Sequence, residues 1–344
     1  MTLRRTSAAI SAGLLTLLAT SGTALAQPSD GHTIYGVTSN GNRLVKFPAN
    51  NPGAATPVTT SGNITGLGAG ETVIGIDFRP VNGLLYAVTT SAIGDETSGT
   101  GRIYTIDKNT AAATLVPGSA TLQLSGAYYD IDFNPVPNAL RIVSSNGQNL
   151  RVTNVSGGDL NMNNVDTNLS YASGGPSTTP RVGGIAYTPA TSGATTMYDV
   201  DYENDLVSTQ GAVGGGTGAA SPNSGVLNRV GATGVNVTNL FGFDIETDGT
   251  AYASAQTTGA EGGVSRGSTL YTVNLTNGAL APLGPVNGDL LDAIAVDTAA
   301  PGGGPNPVVP EFPLAALAPI AALGLGGLVV TVRRRRKQGA TATA

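Results

Sequence analysis

Gly75-Ile76-Asp77-Phe78-Arg79-Pro80, a turn at Asn82-Gly83, and then Leu84-Leu85-Tyr86-Ala87-Val88-Thr89 form the stretch from which the fold is read. Two short apolar runs on either side of an Asn-Gly pair predict two antiparallel strands joined by a tight turn. The pair recurs along the chain. Asp130-Ile131-Asp132-Phe133-Asn134-Pro135 precedes Ala139 to Val143, Gly184-Ile185-Ala186-Tyr187-Thr188-Pro189 precedes Thr196 to Val200, and Gly242-Phe243-Asp244-Ile245 precedes Gly249 to Ser254. A fifth copy, Ala293-Ile294-Ala295-Val296-Asp297, has no second strand behind it. Aligning Ile76, Ile131, Ile185, Phe243 and Ile294 gives spacings of 55, 54, 58 and 51 residues, a period that belongs to propeller blades.

Each unit goes on to two more strands. After the polar loop Ala92 to Gly101 come Arg102 to Asp107 and Ala113 to Val116, and the fourth unit repeats them as Thr269 to Asn274 and Ala279 to Leu283. Four antiparallel strands make one blade. The fifth unit stops short, and the strands it lacks stand at the other end of the chain: Thr33 to Thr38, Arg43 to Phe47, and Ala55 to Thr59. The expected fold is therefore an all-β, five-bladed β-propeller over residues 27–300. Pairing of Ile294 to Val296 with the N-terminal strands closes the ring and protects edges that would otherwise template aggregation.

The phrases Gly75 to Pro80, Leu85 to Thr89, Tyr129 to Pro135, Leu140 to Ser144 and Asn149 to Val152, in that order, resemble the bacterial secreted proteins of the DUF4394 class over about residues 32 to 298. The function of that class is unknown, so the resemblance implies a propeller-like fold and assigns no residue a role.

The ends of the chain read as addresses. Arg4-Arg5, the apolar run Ala8 to Ala19 and the small-residue pattern Ala24-Leu25-Ala26 predict a signal peptide over 1–26. A Pro/Gly-rich linker, 301–312, leads to the uncharged stretch 313–332, long enough for one membrane-spanning helix at 1.5 Å per residue. Arg333-Arg334-Arg335-Arg336-Lys337 opens a basic tail, 333–344, that would stay cytoplasmic and leave the propeller outside. Val309-Pro310-Glu311-Phe312-Pro313, the span and the basic cluster together resemble the C-terminal sorting signals of the PEP-CTERM and PEF-type classes. That resemblance implies processing by a sorting transpeptidase, and a plain single-pass anchor is the alternative.

Seven of the 17 Lys and Arg lie in those ends, leaving 10 against 22 acidic residues in the exported part. Such an acidic surface argues against nucleic acid, which needs phosphate-neutralising cations. With no Cys there is no disulfide or thiolate metal site, and the single histidine, His32, excludes a histidine-dependent serine triad.

Two groups of acids remain as candidate chemistry. Asp77, Asp132 and Asp244 share one phase of the repeat, whereas Ala186 and Ala295 fill it in the other units. Innermost strands line a propeller's axis, so these carboxyls, with Arg79 beside them, are the candidate channel residues. Converging carboxylates can hydrolyse glycosides or hold a cation, but residues fixed to one repeat phase more often accept backbone N–H bonds within the blades. Asp199, Asp201, Glu203 and Asp205 alternate as one arm of a Ca²⁺ site would, without the glycine and terminal glutamate of an EF-hand. Their alternative is a solvated acidic loop. Arg79, Arg141 and Arg151 are expected to pair with the recurring aspartates. Gly211 to Gly218 lacks the Lys-Ser/Thr ending of a phosphate loop and reads as a flexible insertion. The expectation is an extracellular, surface-anchored binding or scaffold module without catalysis and without an obligate cofactor, its ligand a glycan or a protein. A carbohydrate-active hydrolase and a Ca²⁺-dependent adhesion module are the alternatives.

Overall fold

The computed structural model describes residues 31–297 apart from 40–41, 60–61, 92–97, 120, 154, 156–160, 260–262 and 288–289. The signal peptide, the linker, the span 313–332 and the basic tail lie outside the described residues. Among those described, no helix is long and apolar enough to cross a membrane.

Five sheets make the five blades. The first is Thr72–Phe78, Leu85–Thr90, Ile103–Ile106 and Ala113–Leu115, and the second is Tyr129–Asn134, Ala139–Ser144, Asn149–Thr153 and Asn161–Val165. The third is Val182–Tyr187, Met197–Asp201, Leu206–Gln210 and Val226–Ala232, extended by Ser170–Tyr171 in parallel. The fourth is Val237–Ile245, Ala251–Thr257, Thr269–Val273 and Leu280–Pro285. In the fifth, Leu291–Val296 pairs with Thr33–Thr38, followed by Leu44–Pro48 and Thr56–Pro57. The pairing sets Ile294 against Gly36 and Ala295 against Tyr35, so the last strand is completed by the first three, as the repeat demands.

Packing confirms the closure. Residues of the strands group into five apolar clusters among the described residues, one at each junction between neighbouring blades. Tyr86 and Ile103 meet Phe133 and Leu140 between the first and second blades. At the closing junction Tyr35, Val37 and Ala293 meet Ile76, Phe78 and Leu85. Two edge-to-face ring pairs mark the two junctions, Tyr86 with Phe133 at 5.1 Å and Tyr35 with Phe78 at 5.6 Å. The recurring glycine one residue before the conserved-phase apolar residue has a steric cause. A Cβ on Gly75 would stand 2.9 Å from Ile131, and one on Gly242 would stand 2.6 Å from the backbone nitrogen of Ile294. At Gly75 and Gly242 the inner strand of the next blade leaves no room for a side chain.

One local feature differs from the sequence reading. Part of the loop Ala92 to Gly101 is a strand, Ser98–Gly101, which pairs with Leu122–Ser125 as a separate two-stranded ribbon. Leu122 and Leu124 bury their side chains in the cluster between the first two blades, which is what pins the ribbon down.

Candidate functional site

The innermost strand of every blade pairs along one edge only, so the N–H groups on its axial edge have no strand partner. Buried N–H groups left without acceptors are costly. Four carboxyls supply those acceptors. Asp77 Oδ2 accepts from Phe133 N at 2.7 Å, and Asp244 Oδ2 accepts from Val296 N at 2.6 Å. Asp130 Oδ2 reaches Ile185 N at 2.9 Å while its Oδ1 takes Ile131 N at 2.9 Å. Asp132 accepts from the backbone N–H of Tyr187, and Asp244 Oδ1 from Ile245 N at 2.6 Å. Each of these side chains thus fastens its own inner strand to the inner strand of the next blade.

Three of the four also converge. One oxygen from each of Asp77, Asp132 and Asp244 lies within 4.8 Å of the others, the one such acidic group among the described residues. They open on a cavity of about 240 Å³ whose rim carries Pro80, Pro135 and Pro189, the prolines that end the repeated motif. All are deeply buried. Burial, followed by the charge of Asp244, pushes the Asp77 carboxyl well above the usual carboxylate range. Burial and then Asp77 and Asp244 do the same to Asp132. Asp244 is pushed up to about 7, chiefly by burial. The cluster therefore holds protons into the neutral range, and its members titrate as a coupled set.

Asp130 was not singled out in the sequence, because it occupies the phase where the other four units have glycine or alanine and resembles ordinary repeat variation. Its contacts show the opposite: burial raises its carboxyl well above the normal range while two backbone amides hold it.

The arginines do not pair with the recurring aspartates. Arg79 is buried, donates through Nε to Asn138 Oδ1 at 2.9 Å, and lies over the rings of Tyr86 and Phe133 at 5.9 and 5.8 Å. Arg141 and Arg151 share the carboxylate of Asp166 at 2.7 and 3.1 Å, and Arg141 also donates to Asn149, Asn223 and Tyr187. Arg141 stands opposite Asp132 in the second blade, but its guanidinium is taken by Asp166, Asn149 and Asn223. Arg141 and Arg151 border a cavity of about 310 Å³ that Gly214, Gly215 and Gly216 also line.

The second acidic group is drawn apart. Asp201 accepts from Tyr171 Oη, Arg181 N, Glu203 N and Asn204 N, which makes it the clamp of a turn. Asp205 Oδ1 accepts from Val237 N at 2.8 Å. Glu203 is exposed. Asp199 is fully buried, neither of its oxygens has a hydrogen-bond partner, and burial pushes its carboxyl well up, toward the neutral acid. His32 lies with Nε2 3.5 Å from Asp248 Oδ2.

At the opposite end of the axis, where the inner strands begin, a second cavity of about 180 Å³ is lined by Thr72, Ile74, Tyr128, Asn239, Leu240 and Asp292, with Ser39 at its border. These residues come from four different blades, so no local motif announces them.

No curated protein matches the chain. Among solved structures it is similar to Saccharomyces cerevisiae Sqt1, with 14% identity, a TM-score of 0.32, and coverage of 61% of this chain and 47% of that one. The chain thus spans about half the length of Sqt1. It is also similar to the α-L-arabinofuranosidase PaAbf62A from Podospora anserina, with 13% identity, a TM-score of 0.35, and coverage of 64% and 71%. A third is the aldose sugar dehydrogenase from Streptomyces coelicolor, with 17% identity, a TM-score of 0.36, and coverage of 76% and 80%. At such scores nothing about activity follows. Residues 27–295 match the family DUF4394, described as a domain of unknown function, and the chain belongs to that family.

Proposed function

We propose that this protein is a non-catalytic binding or scaffold module, exported by residues 1–26 and held at the cell surface by the span 313–332 with its propeller outside. The observation that carries the reading is the use made of the axial carboxyls: they accept backbone amides of the next blade. One oxygen from each of Asp77, Asp132 and Asp244 crowds within 4.8 Å of the others at the axis. The apolar span followed by five basic residues supports the anchor. A sorting transpeptidase acting at Val309 to Pro313 is the partner that this tail implies.

A second reading is favoured by the same crowding. Oxygens this close can be bridged by an ion with Ca–O distances of about 2.3–2.6 Å, so the axis suits Ca²⁺ as a staple for the ring. The ion would replace the protons that the cluster otherwise retains.

Thermal unfolding of the wild type and Asp132→Asn, with EDTA or with Ca²⁺, tests both readings when run beside a screen for glycan turnover. The expected result is a lower midpoint for the variant and no turnover by either protein. A variant that folds as well as the wild type but loses a measurable turnover would overturn the module reading. A midpoint indifferent to Ca²⁺ and EDTA would remove the staple.

A further inference from the structure

We propose that the cavity where the inner strands begin is a binding site for a single sugar unit, held by Asp292, Asn239, Thr72 and Ser39 against the ring of Tyr128. The proposal rests on the reading of the protein as a binding module and names its ligand class.

Four polar side chains of this cavity are unspent. Among the described residues, those of Asp292, Asn239, Thr72 and Ser39 make no hydrogen bond or ion pair. Half-buried polar side chains nearby behave otherwise: Asn42 both donates to Glu71 O and accepts from Val73 N. A set of partly buried polar groups without partners, gathered around one cavity, is what a ligand site leaves when empty.

Their chemistry selects the ligand. Asn239 offers donors and acceptors side by side, the hydroxyls of Thr72 and Ser39 offer one donor and two acceptor positions each, and Asp292 accepts. Only a ligand that both donates and accepts on neighbouring atoms satisfies all of them, as vicinal hydroxyls do. Among the described residues no Lys, Arg or His lines the cavity, so a phosphate or carboxylate would meet no counter-charge there and would face Asp292. An ammonium group only donates and would leave the amide hydrogens of Asn239 unmet. Ile74, Leu240 and the tyrosine rings supply an apolar wall for the C–H face of a sugar.

Size limits the ligand further. A cavity of about 180 Å³ lies below the roughly 300–1,000 Å³ of drug-sized sites, which admits one ring rather than a chain. Burial alone, with no neighbouring charge, pushes Asp292 up to about 6, so near pH 7 it is an anionic acceptor whose lost hydration hydroxyl donors would replace. Among the described lining residues Asp292 is also the one carboxyl. Glycoside hydrolysis takes two, so the site binds without cleaving.

The test uses the full chain with D-glucose, D-galactose, D-mannose, D-xylose, L-arabinose and N-acetyl-D-glucosamine as probes, and benzylamine as a cationic control, by saturation-transfer NMR and calorimetry. At least one sugar is expected to bind in the millimolar range. Asp292→Asn and Asn239→Ala should each weaken it about tenfold, the loss of one strong hydrogen bond, with the melting temperature unchanged. Thr72→Val serves if Asp292→Asn proves unstable. Absence of sugar binding in a folded chain, equal binding by the variants, or preferential binding of benzylamine would overturn this site and leave the module reading standing. Binding accompanied by cleavage of the corresponding glycoside would overturn the non-catalytic reading and leave the site standing.

Discussion

Asp130→Ala is expected to destabilise the fold by about 2–6 kcal/mol, because it strips acceptors from two buried backbone amides at about 1–3 kcal/mol each. Those amides belong to Ile131 and Ile185, on the inner strands of two neighbouring blades. Asp77→Ala, which strips acceptors from the amides of Phe133 and Phe78, should cost about as much. Urea unfolding followed by far-UV circular dichroism gives the comparison. The pH at which it is made matters. The folded Asp130 carboxyl sits well above its unfolded value, so its contribution is fully present below the unfolded pKa and is lost as pH rises through the folded one. The penalty for Asp130→Ala should therefore be largest in acid and shrink toward alkaline pH. A variant as stable as the wild type at pH 4 would contradict the role assigned to the carboxyl.

Removal of residues 1–48 is expected to abolish folding of the remainder. The deletion takes away Thr33–Thr38 and Leu44–Pro48 and leaves Leu291–Val296 as a bare edge. Ile34, Val37, Leu44, Val45 and Phe47 are buried at the two junctions that the fifth blade makes. At about 1.5–3 kcal/mol per side chain their loss amounts to roughly 8–15 kcal/mol, comparable to the about 5–15 kcal/mol that holds a typical domain together. The shortened chain should be found aggregated, since an unpaired apolar edge recruits other chains. A peptide of residues 31–59 added during refolding should restore solubility. A soluble, cooperatively melting chain without that peptide would show that the ring does not depend on the closure.

The ring was legible in the sequence because its causes are periodic. The glycine at Gly75, Gly184 and Gly242 and the apolar residue after it recur with the blade, and the truncated fifth unit finds its complement at Thr33 to Thr38. Asp77, Asp132 and Asp244 were legible for the same reason, though the amides they accept from belong to the next blade's inner strand, which the repeat does not disclose. What was hidden depends on approach in three dimensions. Asp130 breaks the repeat phase yet does the same work as its neighbours. Arg141 and Arg151 find Asp166, a residue outside the recurring motif. The cavity at Asp292 draws single residues from separate blades, each unremarkable in its own segment.

Native-state hydrogen exchange at the axial amides tests most directly whether the buried carboxyls hold the blades together. The amides of Ile131, Phe133, Ile185, Ile245 and Val296 have carboxyl oxygens as acceptors. They should exchange as slowly as the amides bonded between strands within the blades. Exchange of these five at the rate of unpaired edge amides, in a protein whose blades remain protected, would contradict the account.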